Sequence, residues 1–181
     1  MNGSAGSPPP SVRRGLCLLL MLAVAAVGST AVEAETDAPS YQLTYRLAFQ
    51  PEQGTATIRI ELDEGRLLRR MEFTNLPQRY ADIEANGDLE VTPEKVTWSL
   101  PQGTAWLTMT VAVNHARRSG AYDAMMTEDW AIFRGDDLFP AAATEEVPGA
   151  YAVATLEVVL PEGWSSIETG LPRKRGNTFL I

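Results

Sequence analysis

In YQLTYRLAF every odd position from Tyr41 to Phe49 is apolar, while Gln42, Thr44 and Arg46 fall between them. A period of two gathers Tyr41, Leu43, Tyr45, Leu47 and Phe49 on one face of an extended chain. It cannot form one stripe of a helix, whose period is 3.6. The same alternation returns after PEQG (51–54), with Ala56, Ile58, Ile60 and Leu62 set against Thr57, Arg59, Glu61 and Asp63. These two segments read as a β-hairpin. A third strand is expected over Leu67 to Phe73, with Leu67, Met71 and Phe73 on one side.

After Pro77 the pattern weakens, and Asn86-Gly87 and Pro93 mark turns. It recovers in KVTWSL, PQGT and AWLTMTVAV, which read as a second hairpin turning at Pro101 and Gly103. YAVATLEVVL supplies the last clear strand, before PEGW and a closing apolar TFLI. No helical periodicity of useful length competes. Short strands between Gly/Pro turns predict an all-β fold, either an antiparallel β-sandwich or a curved open sheet. Residues 114–149 break this regularity. A loop that long is functional or hides structure, and Trp130 to Phe133 is expected to be one short strand within it.

The N-terminus belongs to a different regime. Arg13 and Arg14 precede an apolar run from Leu16 to Val27, and small residues lead to Val32-Glu33-Ala34. A run of about a dozen apolar residues is too short to span a bilayer and suits a signal peptide over 1–34, cleaved before Glu35. The alternative is an uncleaved anchor, the one route by which this chain is expected to meet a membrane. Cys17 lies at the start of the apolar run and not after it, which excludes a lipoprotein signal, and the arginine pair fits general or twin-arginine export. The Ala/Leu-rich signal has a bacterial look.

Residues 35–40 then form a polar leader and 41–181 the β domain, placed in the periplasm or outside the cell. Cys17 is the sole cysteine, so the exported chain is held together by its core alone. The net charge of −8 becomes one unit more negative on loss of Arg13, Arg14 and Glu33. Such a chain repels phosphates, and no nucleic-acid partner is expected.

Catalytic constellations are sparse. His115 is the only histidine, and ARRS follows it where a zinc peptidase would carry H-E-x-x-H. No serine lies in G-x-S-x-G. Asp123, Glu128, Asp129, Asp136, Asp137, Glu145 and Glu146 could offer calcium oxygen ligands, but without the spacing of a calcium loop they read as a solvated acidic stretch. Met125-Met126 reads as packing. Arg117-Arg118 and Arg173-Lys174-Arg175 read as solvated turns, with anion binding as the alternative. Arg134-Gly135-Asp136 matches an adhesion tripeptide, but Gly-Asp is an ordinary turn pair, and a turn is expected there.

From Val96 onward the order VTWSL, LTMTVAVN, SGAYDAMMTEDWAIFRGDDLFP and ATLEVVLPEGWSS resembles the N-terminal β domain of secreted glycyl-aminopeptidase-like, PDZ-containing zinc metallopeptidases. Trp98, Leu160, Pro161, Gly163 and Trp164 match best, and the opening strands are similar to those of the related aminopeptidase-N group. The resemblance implies a non-catalytic module packed against a downstream zinc domain of the same polypeptide, which would hold H-E-x-x-H and a distal glutamate. This chain carries neither, so no catalytic, cofactor or metal residue transfers to it, and zinc is expected only downstream. Tyr122, Trp130 and Phe139 in the long loop are the expected interdomain contacts. The apolar close at Phe179-Leu180-Ile181 reads as a fragment of a longer protein. A free-standing module for carbohydrate or peptide is the second reading, favoured by tryptophans exposed in a groove. An enzyme complete in this chain is the third.

Overall fold

A computed structural model describes residues 38–74, 76, 79–116 and 119–181, with the backbone alone at Tyr122. The expected export signal and its expected cleavage site, Cys17 and the Arg117-Arg118 pair lie outside the described residues.

The first hairpin forms as its alternation dictates. Strand β1 (Ser40–Gln50) turns through a 3-10 turn at Pro51–Gln53 into β2 (Thr55–Leu62), with Leu47 opposite Ile58 and Phe49 opposite Ala56. Gly54 closes the turn at φ 68°, where it donates to the Pro51 carbonyl. Then follow β3 (Leu68–Thr74), β4 (Tyr80–Ala85), β5 (Asp88–Val91), β6 (Lys95–Ser99) and β7 (Ala105–Ala112).

Beyond them lie β8 (His115–Ala116), β9 (Tyr122–Met126) and β10 (Ala131–Phe133), then a helical turn, α1 (Gly135–Leu138). The chain closes with β11 (Ala143–Glu146), β12 (Tyr151–Val159), β13 (Arg173–Arg175) and β14 (Thr178–Leu180).

Among the described residues, seven strands make one sheet, in the order β13-β14-β12-β1-β2-β7-β4; four make a second, β11-β3-β6-β5; three make a small third, β10-β9-β8. The all-β expectation holds. Strict antiparallelism does not, because β12 runs parallel to β1, with Leu43 beside Ala154 and Leu47 beside Val158. Parallel neighbours need a long crossover, and the chain between β1 and β12 supplies it.

The expected hairpin of KVTWSL with AWLTMTVAV is not formed. Strand β6 pairs with β3 and β5, whereas β7 pairs with β2 and β4 in the other sheet. The turn between them is a corner that crosses layers. Its Gly103 and Gln102 carbonyls accept from Gly65 and Arg66, in the connection from β2 to β3. Two strands whose inward faces are both apolar can bury more by facing across a core than by lying edge to edge. Val96, Trp98 and Leu100 accordingly share one buried cluster with Leu107, Met109 and Val111.

Residues 114–149, expected as a loop with one short strand, hold β8 to β11 and α1. The strand expected at 130–133 is β10. ATEE, exposed throughout, adds β11 to the edge of β3. The basic Arg173-Lys174-Arg175 run, expected as a turn, is the edge strand β13. Arg173 there donates to the Gly176 and Ile167 carbonyls at 2.7 Å each and lies over the Phe179 ring.

Tyr41 ties the two larger sheets together. Its ring is buried, and its hydroxyl donates to Glu146 at 2.9 Å. Burial first, then the Glu146 carboxylate, pushes the phenol well above its ordinary range; burial also raises Tyr45 and Tyr80. The folded state therefore holds these protons more tightly than the unfolded chain. Their stabilisation is complete below the unfolded phenol value, about pH 10, and declines as pH rises towards the folded values. Urea titrations between pH 9 and 11 are expected to show falling stability, with a shallower fall in Tyr41→Phe. Identical slopes in the two proteins would refute the assignment to Tyr41.

Candidate functional site

Beside the paired sheets lies a cleft of about 630 Å³. Strand β10 and the irregular segment from Gly163 to Leu171 form its walls, and Phe49, Phe139 and Leu156 are among its inner lining. Phe49, buried on the inward face of β1, lies 5.6 Å centroid to centroid from Phe133 and 5.3 Å from Trp164. The alternation that makes β1 a strand thus also furnishes the cleft with an aromatic base.

Trp164 reaches the cleft because Leu160-Pro161-Glu162-Gly163 ends β12 in a turn, with Gly163 at φ 88° and the Trp164 amide donating to the Pro161 carbonyl. Its indole N–H donates to the Glu128 carbonyl at 2.7 Å, pinning one wall to the other. The ring is only partly buried. It closes the margin of the core and one side of the cleft. Trp130 is the reverse case: 47 % exposed, on a turn where Thr127 Oγ1 accepts from the Asp129 and Trp130 amides. Ile132 beside it is 67 % exposed.

Two of the three expected contact residues, Trp130 and Phe139, line this one cleft. Tyr122 contributes its backbone to β9, and its side chain is outside the described residues. Phe139 also packs edge-on against Tyr45, at 5.6 Å. The remaining tryptophans are elsewhere. Trp98 is fully buried, and Trp106 lies on the outer sheet face under the Arg59 guanidinium, 4.7 Å from its centroid.

Arg134-Gly135-Asp136 opens α1. Arg134 and Asp136 close on one another at 2.6 Å. Tyr80 donates to the Leu138 carbonyl and Arg79 to that of Asp137, so the helical turn is fastened down at its far end.

One grouping escaped the sequence reading. His115, Asp123 and Asp137 bring a ring nitrogen and two carboxylate oxygens within 4.8 Å of one another. Pairing of β8 with β9 places His115 beside Ala124, next to Asp123, and the fastening of α1 delivers Asp137. Only long-range pairing shows it; separations of 8 and 14 residues carry no signal. The set could hold a divalent cation. Against this, Arg79 already sets a fixed positive charge next to Asp137, and the His115 side chain is 45 % exposed. The other acids are dispersed: Glu145 pairs with Arg70 at 3.3 Å and Glu146 with Tyr41.

No family model matches the chain, and no curated protein matches it either. The cleft therefore has to be read from its own chemistry. Five aromatic side chains, the half-exposed Trp130 among them, stand beside Asp129, Glu168 and the hydroxyls of Ser165, Ser166 and Thr169, a mix of apolar area and polar groups that suits a binding surface.

Proposed function

We propose that this chain is the non-catalytic accessory β domain of an exported, metallopeptidase-like protein, and that the cleft around Trp130 and Trp164 is where it meets the rest of that protein. The observation that carries the reading is the pairing of Trp130 with Ile132 at the cleft rim, since large apolar side chains displayed together mark surfaces that something covers. The resemblance of the LPEGW region to peptidase N-terminal domains supplies the expected partner, a zinc domain downstream in the same polypeptide. On this reading zinc belongs to that domain, and residues 1–34 direct export to the periplasm or cell exterior.

The parent protein tests it. Amide exchange at 129–133 and 164–169 is expected to be at least tenfold slower in the parent than in the 181-residue chain. The reading frame beyond codon 181 is expected to encode H-E-x-x-H. Unchanged exchange would overturn the docking surface, and a frame without the motif the peptidase assignment. Trp130→Ala is expected to abolish the difference in exchange while shifting Tm by less than about 2 °C, since an exposed side chain contributes little to the core.

A second reading, a free-standing module for carbohydrate or peptide, draws on the same exposed Trp130 in a groove. Saturable binding of an oligosaccharide by the isolated chain would favour it.

A further inference from the structure

The cleft wall formed by β10 is also an open sheet edge. In the three-stranded sheet β10 is terminal, and β9 is its only strand neighbour among the described residues. The Thr127 amide donates to the Trp130 carbonyl at 2.8 Å, which makes 127 and 130 a bonded pair. Antiparallel ladders alternate bonded and non-bonded pairs, so the next bonded pair is Met125 with Ile132. The N–H and C=O of Ala131 and Phe133 therefore point away from β9. Both residues line the cleft.

The opposite wall does not satisfy this edge. From Trp164 to Thr169 the chain has no regular structure, and its ties are to other groups: the Trp164 indole to Glu128, the Ile167 carbonyl to Arg173. Asp129 and Glu168 line the cleft, and no lysine or arginine does among its described lining residues. An open edge beside aromatic rings and carboxylates suits one kind of occupant. A sugar would use the tryptophans but would leave two amide donors and two carbonyls aligned for a strand.

We infer that β10 accepts an extended polypeptide segment bearing basic side chains, by strand addition at Ala131 and Phe133, with alternate apolar side chains placed against Phe49, Trp130 and Trp164. This rests on reading the cleft as a docking surface and adds the pairing mode and the charge of the partner. Main-chain bonds supply affinity, and Asp129 and Glu168 select for lysine or arginine at the flanks.

The probe is a capped heptapeptide pool in which lysine alternates with Val, Ile, Phe or Tyr, added to the nitrogen-labelled 181-residue chain. Slowed amide exchange at Ala131 and Phe133, by fivefold or more and with Ile132 unaltered, is the expected result. A pool with glutamate in place of lysine is expected to bind at least tenfold more weakly, and equal binding would overturn the charge assignment. Shifts of the Trp130 and Trp164 indoles without slowed exchange would overturn strand addition while leaving the docking surface standing. No response to any peptide, or a response to cellohexaose alone, would overturn both.

Discussion

Trp98→Ala is expected to remove about 4 kcal/mol of folding stability, a large fraction of the 5–15 kcal/mol that such a domain possesses. Trp98 sits in β6, paired with Met71 on one side and Leu89 on the other, and none of its surface meets solvent. Its indole N–H donates to the Asn86 carbonyl at 2.6 Å. Truncation thus opens a cavity in the four-stranded sheet and leaves the part-buried Asn86 carbonyl without its donor. Trp98→Phe keeps most of the buried area and loses only the hydrogen bond, so about half the cost is expected. Trp106→Ala is the informative contrast. Its ring lies on the outer face with Arg59 stacked over it, an arrangement with a contribution of about 1 kcal/mol. Urea midpoints at constant m-value give the ranking directly. If Trp106→Ala cost as much as Trp98→Ala, the division into inner and outer faces would be wrong.

The inner face was legible because alternation is a local property. Tyr41, Leu47, Ile58, Ile60, Leu107 and Met109 are buried where a period of two places them. Which strands pair was not legible in the same way. KVTWSL and AWLTMTVAV look like hairpin arms from their side chains, and what separates them is a backbone bond from Gly65, nearly forty residues earlier in the chain. The parallel register of β1 and β12 leaves no local trace either, since both strands would show the same pattern in either direction. Strands of two to five residues between 114 and 146 are too short for any period to emerge.

The site was legible in part, for the same reason. Trp130 and Phe139 stand out as aromatic residues in an irregular segment, and both reach the cleft. Phe49 looks like an ordinary strand residue, and only the fold turns its ring into common ground for Phe133 and Trp164. His115, Asp123 and Asp137 converge through β8–β9 pairing and the fastening of α1, which no spacing rule anticipates. Side-chain type pointed to candidates. Strand pairing chose among them.

Gly87→Ala is expected to cost about 3 kcal/mol or more, and Gly65→Ala a comparable amount, because three chain crossings meet where these residues lie. The chain passes between the two larger sheets after β2 at Gly65, after β4 at Asn86-Gly87, and after β6 at Pro101. A Cβ on Gly65 would stand 2.2 Å from the Pro101 carbonyl oxygen, and one on Gly87 would stand 2.4 Å from that of Ser99. Both obstacles are backbone and cannot swing aside. Gly87 also has φ +83°, a region that costs an L-residue about 1–2 kcal/mol before any clash. Asn86 fixes the spot further: its side chain accepts from the Trp106 amide and donates to the Thr104 carbonyl, while its own carbonyl holds Trp98. Any backbone shift that relieves the clash at Gly87 therefore pulls on the indole at the centre of the core. Gly135→Ala makes the comparison decisive. That glycine sits in the adhesion-like tripeptide, yet a Cβ there meets nothing within 4 Å and its φ is not in the left-handed region. Exchange for alanine inside a helical turn should change stability by no more than about 1 kcal/mol, in the stabilising direction. Thermal unfolding of the three variants side by side tests the corner. Equal melting temperatures would mean that the crossings do not converge as described, whereas a large loss confined to Gly65→Ala and Gly87→Ala would locate the glycine requirement at the layer crossing and not at the exposed tripeptide.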